Sequence, residues 1–467
     1  MNSSPGTGPP TDPGAADGPL TGGGPAAPAR PAATGAADGP LTGGRPADPA
    51  AEPGRAGQDG PLTGGGPAGP AAEPGGAGRL VDPGAAIAAA RELGPRFAGR
   101  AAAHDAAGAF PAADFDDLRA AGLLGLMVPP RLGGPGAGFA DYAEVAMALG
   151  AGAGATALVF NRHASVTGAL AQTPDDVARA LGVPESYFAM RDEALRRAAA
   201  GALFAVAMSE RGAGSRLSQL TTAYEPTEKG FRITGSKTFV SGAGHADLYL
   251  VAAKRKGTEQ VSHFLVPAGP GLTVERTWDS MGMRATGSDD LHLDVEVGGD
   301  ALLGGLEGLS LLLAQVMPLW LVASDAAVYV GVARSAVAAA TDHLRNRDLT
   351  HLPAVRARVG RAETAVEAAR LTVLEAARRV DAAPGDLETN RWVWRAKLLA
   401  GETAMEVGAS MLEAAGTSAT RRGNPLERIY RDARCGSLQP ATSDVCADWL
   451  GAAALGLDPE ATGVSRW

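Results

Sequence analysis

The chain has 467 residues, 45% of them hydrophobic, with a formal net charge of −9 and a pI near 5.4. That length exceeds one compact core and predicts two or three domains, while the acidic balance excludes the basic footprint of a nucleic-acid binder. Two cysteines, Cys435 and Cys446, exclude a disulfide framework, and the 7 histidines show no metal-ligand spacing, so no metal site is expected.

Residues 1–79 are rich in Pro, Gly and Ala and nearly devoid of large apolar side chains. Such text cannot offset chain entropy and predicts a disordered tail. Within it DGPLTGG recurs at Asp17–Gly23, Asp38–Gly44 and Asp59–Gly65, a spacing of 21 residues. These units lack the apolar positions that stacked repeats need, which leaves a duplicated low-complexity arm or a docking segment. No basic stretch leading into an apolar run opens the chain, so no signal peptide is expected, and a cytoplasmic setting fits the cysteine usage.

Residues 80–200 predict a helical domain. VDPGAAIAAARELGPRFAGRAAAHD and FDDLRAAGLLGLMVPPRLGG carry helical spacing of Ala, Leu and Phe, and further helices are expected over Phe139–Leu149 and Thr156–Ala171. Residues 201–306 change period. LFAVAMSE, GFRITGSKTFVSG, DLYLVAAK, SHFLVPA, LTVERTW and DLHLDVEV read as short strands with glycine-bearing turns between them. From residue 307 to 467 the pattern is helical again, through Val355–Val380, Thr389–Ala414 and Val445–Leu455. The apolar run Leu309–Val322 is short for a membrane span and interrupted by Gln315 and Pro318, so a buried helix is expected there. The fold class is therefore α+β, a small antiparallel barrel or sandwich between two helical domains.

Five segments in order resemble the acyl-CoA dehydrogenase flavoprotein superfamily: FPAADFDDLRAAGLLGLMVPPRLGG, AMSERGAGS, GSKTFVSGAGHAD, WDSMGMRATGSDDLHLDVEV and NPLERIYRDAR. The resemblance implies that fold and a bound flavin, FAD by family habit, with FMN or a diffusible reduced flavin as the variant. It places Ser209, Gly214 and Ser215 against the flavin, Phe239 where the family has Trp, Ser241 where it has Thr, and Thr442 near the ring. Arg347 matches an arginine that reaches the FAD pyrophosphate of a neighbouring subunit, and Gly416 matches half of a Gly-Gly pair, so a homotetramer or dimer is implied. Arg428, Arg431, Asp432 and Arg434 read as an ion-pair network at a helix junction, and the two cysteines as packed thiols.

In the family, the glutamate of Glu-Gly-Thr takes the substrate's α-proton; the aligned triplet here is Pro440-Ala441-Thr442. The alternative glutamate position on an earlier helix falls near Leu321, again without a carboxylate. Asp325, one turn beyond Leu321, and Asp444, four residues past Pro440, are the candidate bases. Three readings follow: an FAD-dependent oxidoreductase of acyl thioesters with a displaced base, a reduced-flavin monooxygenase that needs no such base, or a flavin-binding scaffold without catalysis.

Overall fold

Asp82 starts the first helix. Its carboxylate accepts the Ala85 N–H at 2.9 Å, Pro83 follows in the first turn, and α1 runs Pro83–Ala107 until Gly108, at φ 57°, closes it. The computed structural model describes residues 82–214, 216–311 and 324–459. The expectations for the N-terminal tail, for Ser215 and for the apolar run around Leu321 lie outside the described residues.

Helices α2 (Ala112–Ala120), α3 (Phe139–Gly152), α4 (Gly154–Gln172), α5 (Asp175–Ala180) and α6 (Glu185–Ala199) complete the first layer. After the strands come α7 (Ser324–Asn346), α8 (Pro353–Ala382), α9 (Leu387–Ala415), α10 (Pro425–Arg434) and α11 (Ser443–Ala454). Helix α3 packs on α7 through small residues. A Cβ on Gly331 would stand 2.5 Å from the Met147 carbonyl oxygen, and one on Gly150 would stand 2.6 Å from that of Val328. Any larger residue at either place would push the two helices apart. Helix α9 is the hub of the C-terminal bundle, touching α7, α8, α10 and α11, with Trp394 stacked on Trp449 at 5.5 Å.

Between the helical layers lies one 7-stranded sheet: β1 (Phe204–Ala207), β2 (Ala223–Thr227), β3 (Gly230–Val240), β4 (Leu248–Arg255), β5 (Val261–Pro267), β6 (Leu272–Glu275) and β7 (Asp289–Gly298). Their order is β1-β4-β2-β3-β7-β6, with β5 on β4. The antiparallel pairing expected from the sequence holds for β2–β3, β3–β7, β6–β7 and β4–β5, whereas β1 and β2 both run parallel to β4. Strand β2 is absent from the expected set because Glu225, Pro226 and Thr227 read as a turn; its proline is tolerated at the end of a short hairpin strand. The β3–β7 register slips between Lys237 and Val240, and Phe239 within that bulge takes φ 58°. A bulge of this kind turns side chains out of the ladder, and here it delivers Thr238 and Phe239 to the cavity described below. No described helix is long and apolar enough to cross a membrane.

Candidate active site

A cavity of about 560 Å³ opens where the end of β1, the β3 bulge, β5, the β6–β7 connection, α4 and the α10–α11 junction meet. Each wall is held by a specific contact.

The loop after β1 is fixed by a buried ion pair. Glu210 Oε1 lies 2.8 Å from Lys237 Nζ, and the same carboxylate accepts Thr221 N–H and Thr221 Oγ1 at 2.7 Å each and Thr222 N–H at 3.0 Å. Lys237 also donates to the Met208 carbonyl at 3.2 Å. Burial alone would push the Glu210 carboxyl up; the Lys237 charge and these hydrogen bonds outweigh it and bring it down to about 2. Burial pulls the Lys237 ammonium down to about 8 against the attraction of Glu210. The pair is committed to structure and sets the course of Ser209–Gly214.

The opposite wall, residues 278–288, is clamped by α10. Asp432 accepts the Met283 N–H at 2.6 Å, holding that residue at φ 54°, a conformation a methionine adopts only when its surroundings impose it. Arg431 takes both oxygens of Asp105 at 2.9 and 2.6 Å, pairs with Glu427 and donates to the Met281 carbonyl at 2.8 Å. The ion-pair network expected of PLERIYRDAR is therefore a clamp on the cavity wall. Gly282 is required at this seam, since a Cβ there would stand 2.1 Å from the Arg431 carbonyl oxygen.

Hydroxyls line one part of the cavity. Ser241 and Ser288 Oγ are 3.0 Å apart, Thr286 Oγ1 lies 2.7 Å from Ser288 Oγ, and Thr286 donates to the Met283 carbonyl at 2.9 Å. The Phe239 ring, 59% exposed, stands edge-on to Trp278 at 6.0 Å. Flat apolar faces beside a row of hydroxyls suit an amphipathic aromatic ring system with a polar edge.

The third wall is the α10–α11 junction, with Cys435, Leu438, Gln439, Pro440 and Thr442. Fully buried Lys397 on α9 donates to the carbonyls of Gly436 at 3.1 Å and Gln439 at 3.3 Å, pinning the turn that carries Pro440. Thr442 caps α11 by accepting the Val445 N–H at 3.4 Å. Burial pushes the Cys435 thiol up to about 11, so it stays protonated at neutral pH.

Of the residues singled out in the sequence, Ser209, Gly214, Phe239, Ser241 and Thr442 line the cavity together. Asp325 does not. Its carboxylate is buried beneath the wall, accepting Asn161 Nδ2 at 2.6 Å and pairing with Arg162 at 3.3 Å. Asp444 is exposed in the first turn of α11. Arg347 and Gly416 are exposed and away from the cavity. They share one end of the helical bundle, because His343 Nε2, one turn before Arg347, lies 3.2 Å from Ser418 Oγ, two residues past Gly416.

Sequence reasoning missed Arg162, Lys397 and His263. Arg162 faces the cavity and donates to Gln439 Oε1 at 3.0 Å. The run Asn161-Arg162-His163 inside an otherwise apolar helix was its one available signal. Among the described lining residues it is the single Lys, Arg, Asp or Glu, and no carboxylate lines this cavity. The interior stretches outside the described residues, Ser215 and 312–323, contain no Asp or Glu either. A neighbouring hollow of about 550 Å³ shares Gly214, Thr238, Phe239, Trp278 and Ser288 with the cavity, and its carboxylates are engaged. Glu210 is held as above; Asp290 is bound by Arg211 at 2.7 Å and by Thr238 and Thr277. Among the described residues no cluster of His, Cys, Asp and Glu could hold a metal ion.

Three family models match in chain order: acyl-CoA dehydrogenase, N-terminal domain, over residues 85–180; middle domain, over 205–295; and C-terminal domain, over 323–442. The chain is 31% identical over 384 residues to an L-evernosamine nitrososynthase of Micromonospora sp., covering 78% of this chain and 88% of that one. It is also 31% identical over 382 residues to a cyclohex-1-ene-1-carbonyl-CoA dehydrogenase of Geobacter metallireducens, covering 79% and 95%. Its fold matches KijD3 in complex with FMN and dTDP-3-amino-2,3,6-trideoxy-4-keto-3-methyl-D-glucose, with a TM-score of 0.72 and 28% identity over 82% of this chain and 96% of that one. On these matches, and on the helix–sheet–helix architecture that carries them, the chain belongs to the acyl-CoA dehydrogenase family.

Proposed function

We propose that this protein is a flavin-dependent monooxygenase acting on a small molecule, with the cavity as its reaction chamber. The observation that carries the reading is the cavity lining: Pro440, which the resemblance aligns with the family's glutamate, lies there beside Gln439 and Arg162, and no described lining residue is a carboxylate. Asp325 is spent on Asn161 and Arg162, and Asp444 faces solvent. A guanidinium beside the site raises the cost of gathering positive charge on a base, the reverse of what proton abstraction requires.

The residues present fit a flavin. Ser209, Ser241 and Thr442, with Gly214, would hold its polar edge, and Phe239 would cover a face. When bound and reduced, a flavin supplies the two electrons that activate dioxygen for transfer of one oxygen atom. FAD is the family's form, and the FMN complex of KijD3 supports the shorter flavin equally. Arg347 and Gly416, exposed at one end of the bundle, would serve a flavin of a neighbouring copy in a homo-oligomer. The protein's own work in the reaction is to orient and to keep water out. The apolar lining from Leu158, Val206, Met208, Leu217 and Leu311 excludes water, and Arg162 holds the Gln439–Pro440 turn closed from below. Similarity to a nitrososynthase and to an FMN-bound amino-sugar complex fits a substrate oxidised at a heteroatom.

The test supplies reduced FMN or FAD and ¹⁸O₂ to the protein with amine, indole and sulfide probes, and reads product mass. Incorporation of one labelled atom is expected. If all oxygen is recovered as hydrogen peroxide while acyl thioesters reduce the flavin, the reading fails.

A further inference from the structure

Two histidines are fully buried, and the contrast between them is informative. His163 has both ring nitrogens engaged: Nε2 lies 2.6 Å from the Leu124 carbonyl oxygen, and Nδ1 accepts the Phe204 N–H at 3.1 Å. His263, on β5 and 3% exposed, has one. Its Nδ1 lies 2.9 Å from Ser310 Oγ, while its Nε2 is buried without a hydrogen-bond partner among the described residues. Leaving a buried polar atom unpaired costs stability, so such an atom in a cavity wall marks a place where a ligand completes the bond.

His263 lines the cavity. Its register partner on β4 is Ala252, which packs with Met208, Leu217 and Leu311. In an apolar patch of this kind one polar group fixes the orientation of a guest. The hydroxyls Ser241, Thr286 and Ser288 belong to β3 and the β6–β7 connection, and β3 is separated from β5 by β2 and β4. Two polar stations thus serve one chamber from different strands.

The Ser310 hydroxyl favours one tautomer. It is 8% exposed, and His263 Nδ1 is its recorded partner among the described residues. A hydroxyl has one proton to give, and Nδ1 is the acceptor in reach. That donation leaves the ring proton on Nε2, the unpartnered nitrogen of a residue that lines the cavity. Burial, reinforced by the nearby Lys237 charge, lowers the imidazolium pKa to about 4, so the ring is neutral at neutral pH. It therefore offers a hydrogen bond without a charge.

We propose that His263 Nε2–H is the substrate-orienting donor of this cavity, and that it takes an uncharged carbonyl or hydroxyl oxygen of the molecule to be oxidised. The part about oxidation rests on the function proposed above; the binding role does not. A carboxylate or phosphate would meet a neutral ring, with Lys237 and Arg162 already paired to Glu210 and Asp325, whereas an uncharged acceptor satisfies Nε2 at no cost in desolvated charge.

The test uses the flavin-loaded enzyme and two probes of one skeleton, acetophenone and α-methylstyrene, which differ by C=O against C=CH₂. Dissociation constants are read from the perturbation of flavin absorbance. In His263→Phe the ratio of the α-methylstyrene constant to the acetophenone constant falls about five- to tenfold from its wild-type value. A ratio unchanged within about twofold, in a variant that still binds flavin, overturns the proposal. ¹⁵N resonances of the wild-type imidazole give a second reading that needs no variant. The Nε2–H tautomer is expected, shifted by acetophenone and not by α-methylstyrene, and an Nδ1–H tautomer overturns the assignment. Loss of oxygen transfer with the ratio effect intact would refute the monooxygenase reading alone; oxygen transfer with no ratio effect would refute the role of His263 alone.

Discussion

Replacing Lys237 by methionine keeps most of the side-chain volume and removes the cation that faces Glu210. Glu210 is 3% exposed and Lys237 is 0% exposed, with 2.8 Å between the charged atoms. Removing one member of a buried pair costs about 3–5 kcal/mol, since the remaining charge stays desolvated. The carboxyl itself supplies an independent gauge. Lowered from 4.5 to about 2, it corresponds to roughly 3 kcal/mol of folded-state preference for the ionised form. Because the folded-state value is the depressed one, this contribution is complete above pH 4.5 and is lost as pH falls toward about 2. Urea denaturation of the wild type, Lys237→Met, Glu210→Gln and the double variant, at pH 7 and pH 3, measures both quantities. The single Lys237 variant is expected to lose about 3–5 kcal/mol at pH 7. The double variant should recover part of that loss, because no unpaired charge remains. Flavin affinity should fall with the single variant, since the pair sets the path of Ser209–Gly214. A loss under about 1 kcal/mol would show that the pair is not the desolvated clamp its geometry describes.

Further outcomes follow from the same contacts. Gly331→Ala places a Cβ 2.5 Å from the Met147 carbonyl oxygen and should cost about 1–3 kcal/mol, read as a lowered Tm. Asp325→Ala strips Arg162 and Asn161 of their shared acceptor and should destabilise by about 3–5 kcal/mol, whereas exposed Asp444→Asn should stay within about 0.5 kcal/mol and leave turnover unchanged. A large loss of turnover in the Asp444 variant would return that residue to the reaction.

The fold was largely legible because its signals are local. Periodicity placed α3, α4, α8 and α9 within a few residues of their observed ends, and glycine-bearing turns marked most strands. Strand β2 escaped because Pro226 and its charged neighbours resemble a turn, and only pairing with β3 and β4 makes them a strand. The parallel course of β1 beside β4 is a long-range choice that no local pattern encodes. At the site, the family-like segments pointed to five residues that do share one cavity. What was not legible was the company that charges keep. Asp325 read as a candidate base one turn along a helix, yet Asn161 and Arg162, more than 160 positions earlier, consume it. Nothing local marks Lys397 on α9 as special; its role appears only where the carbonyls of Gly436 and Gln439 meet it in the core. His263 sat in SHFLVP as a strand residue, and its open Nε2 depends on the position of Ser310, 47 residues away.

The central claim, that this cavity lacks the base for α-proton abstraction, is tested most directly by anaerobic titration of the flavin-loaded protein with butyryl-CoA and octanoyl-CoA, following flavin absorbance. The wild-type flavin is expected to remain oxidised with both thioesters. Bleaching at a rate that supports turnover would contradict the claim and return the protein to dehydrogenase chemistry.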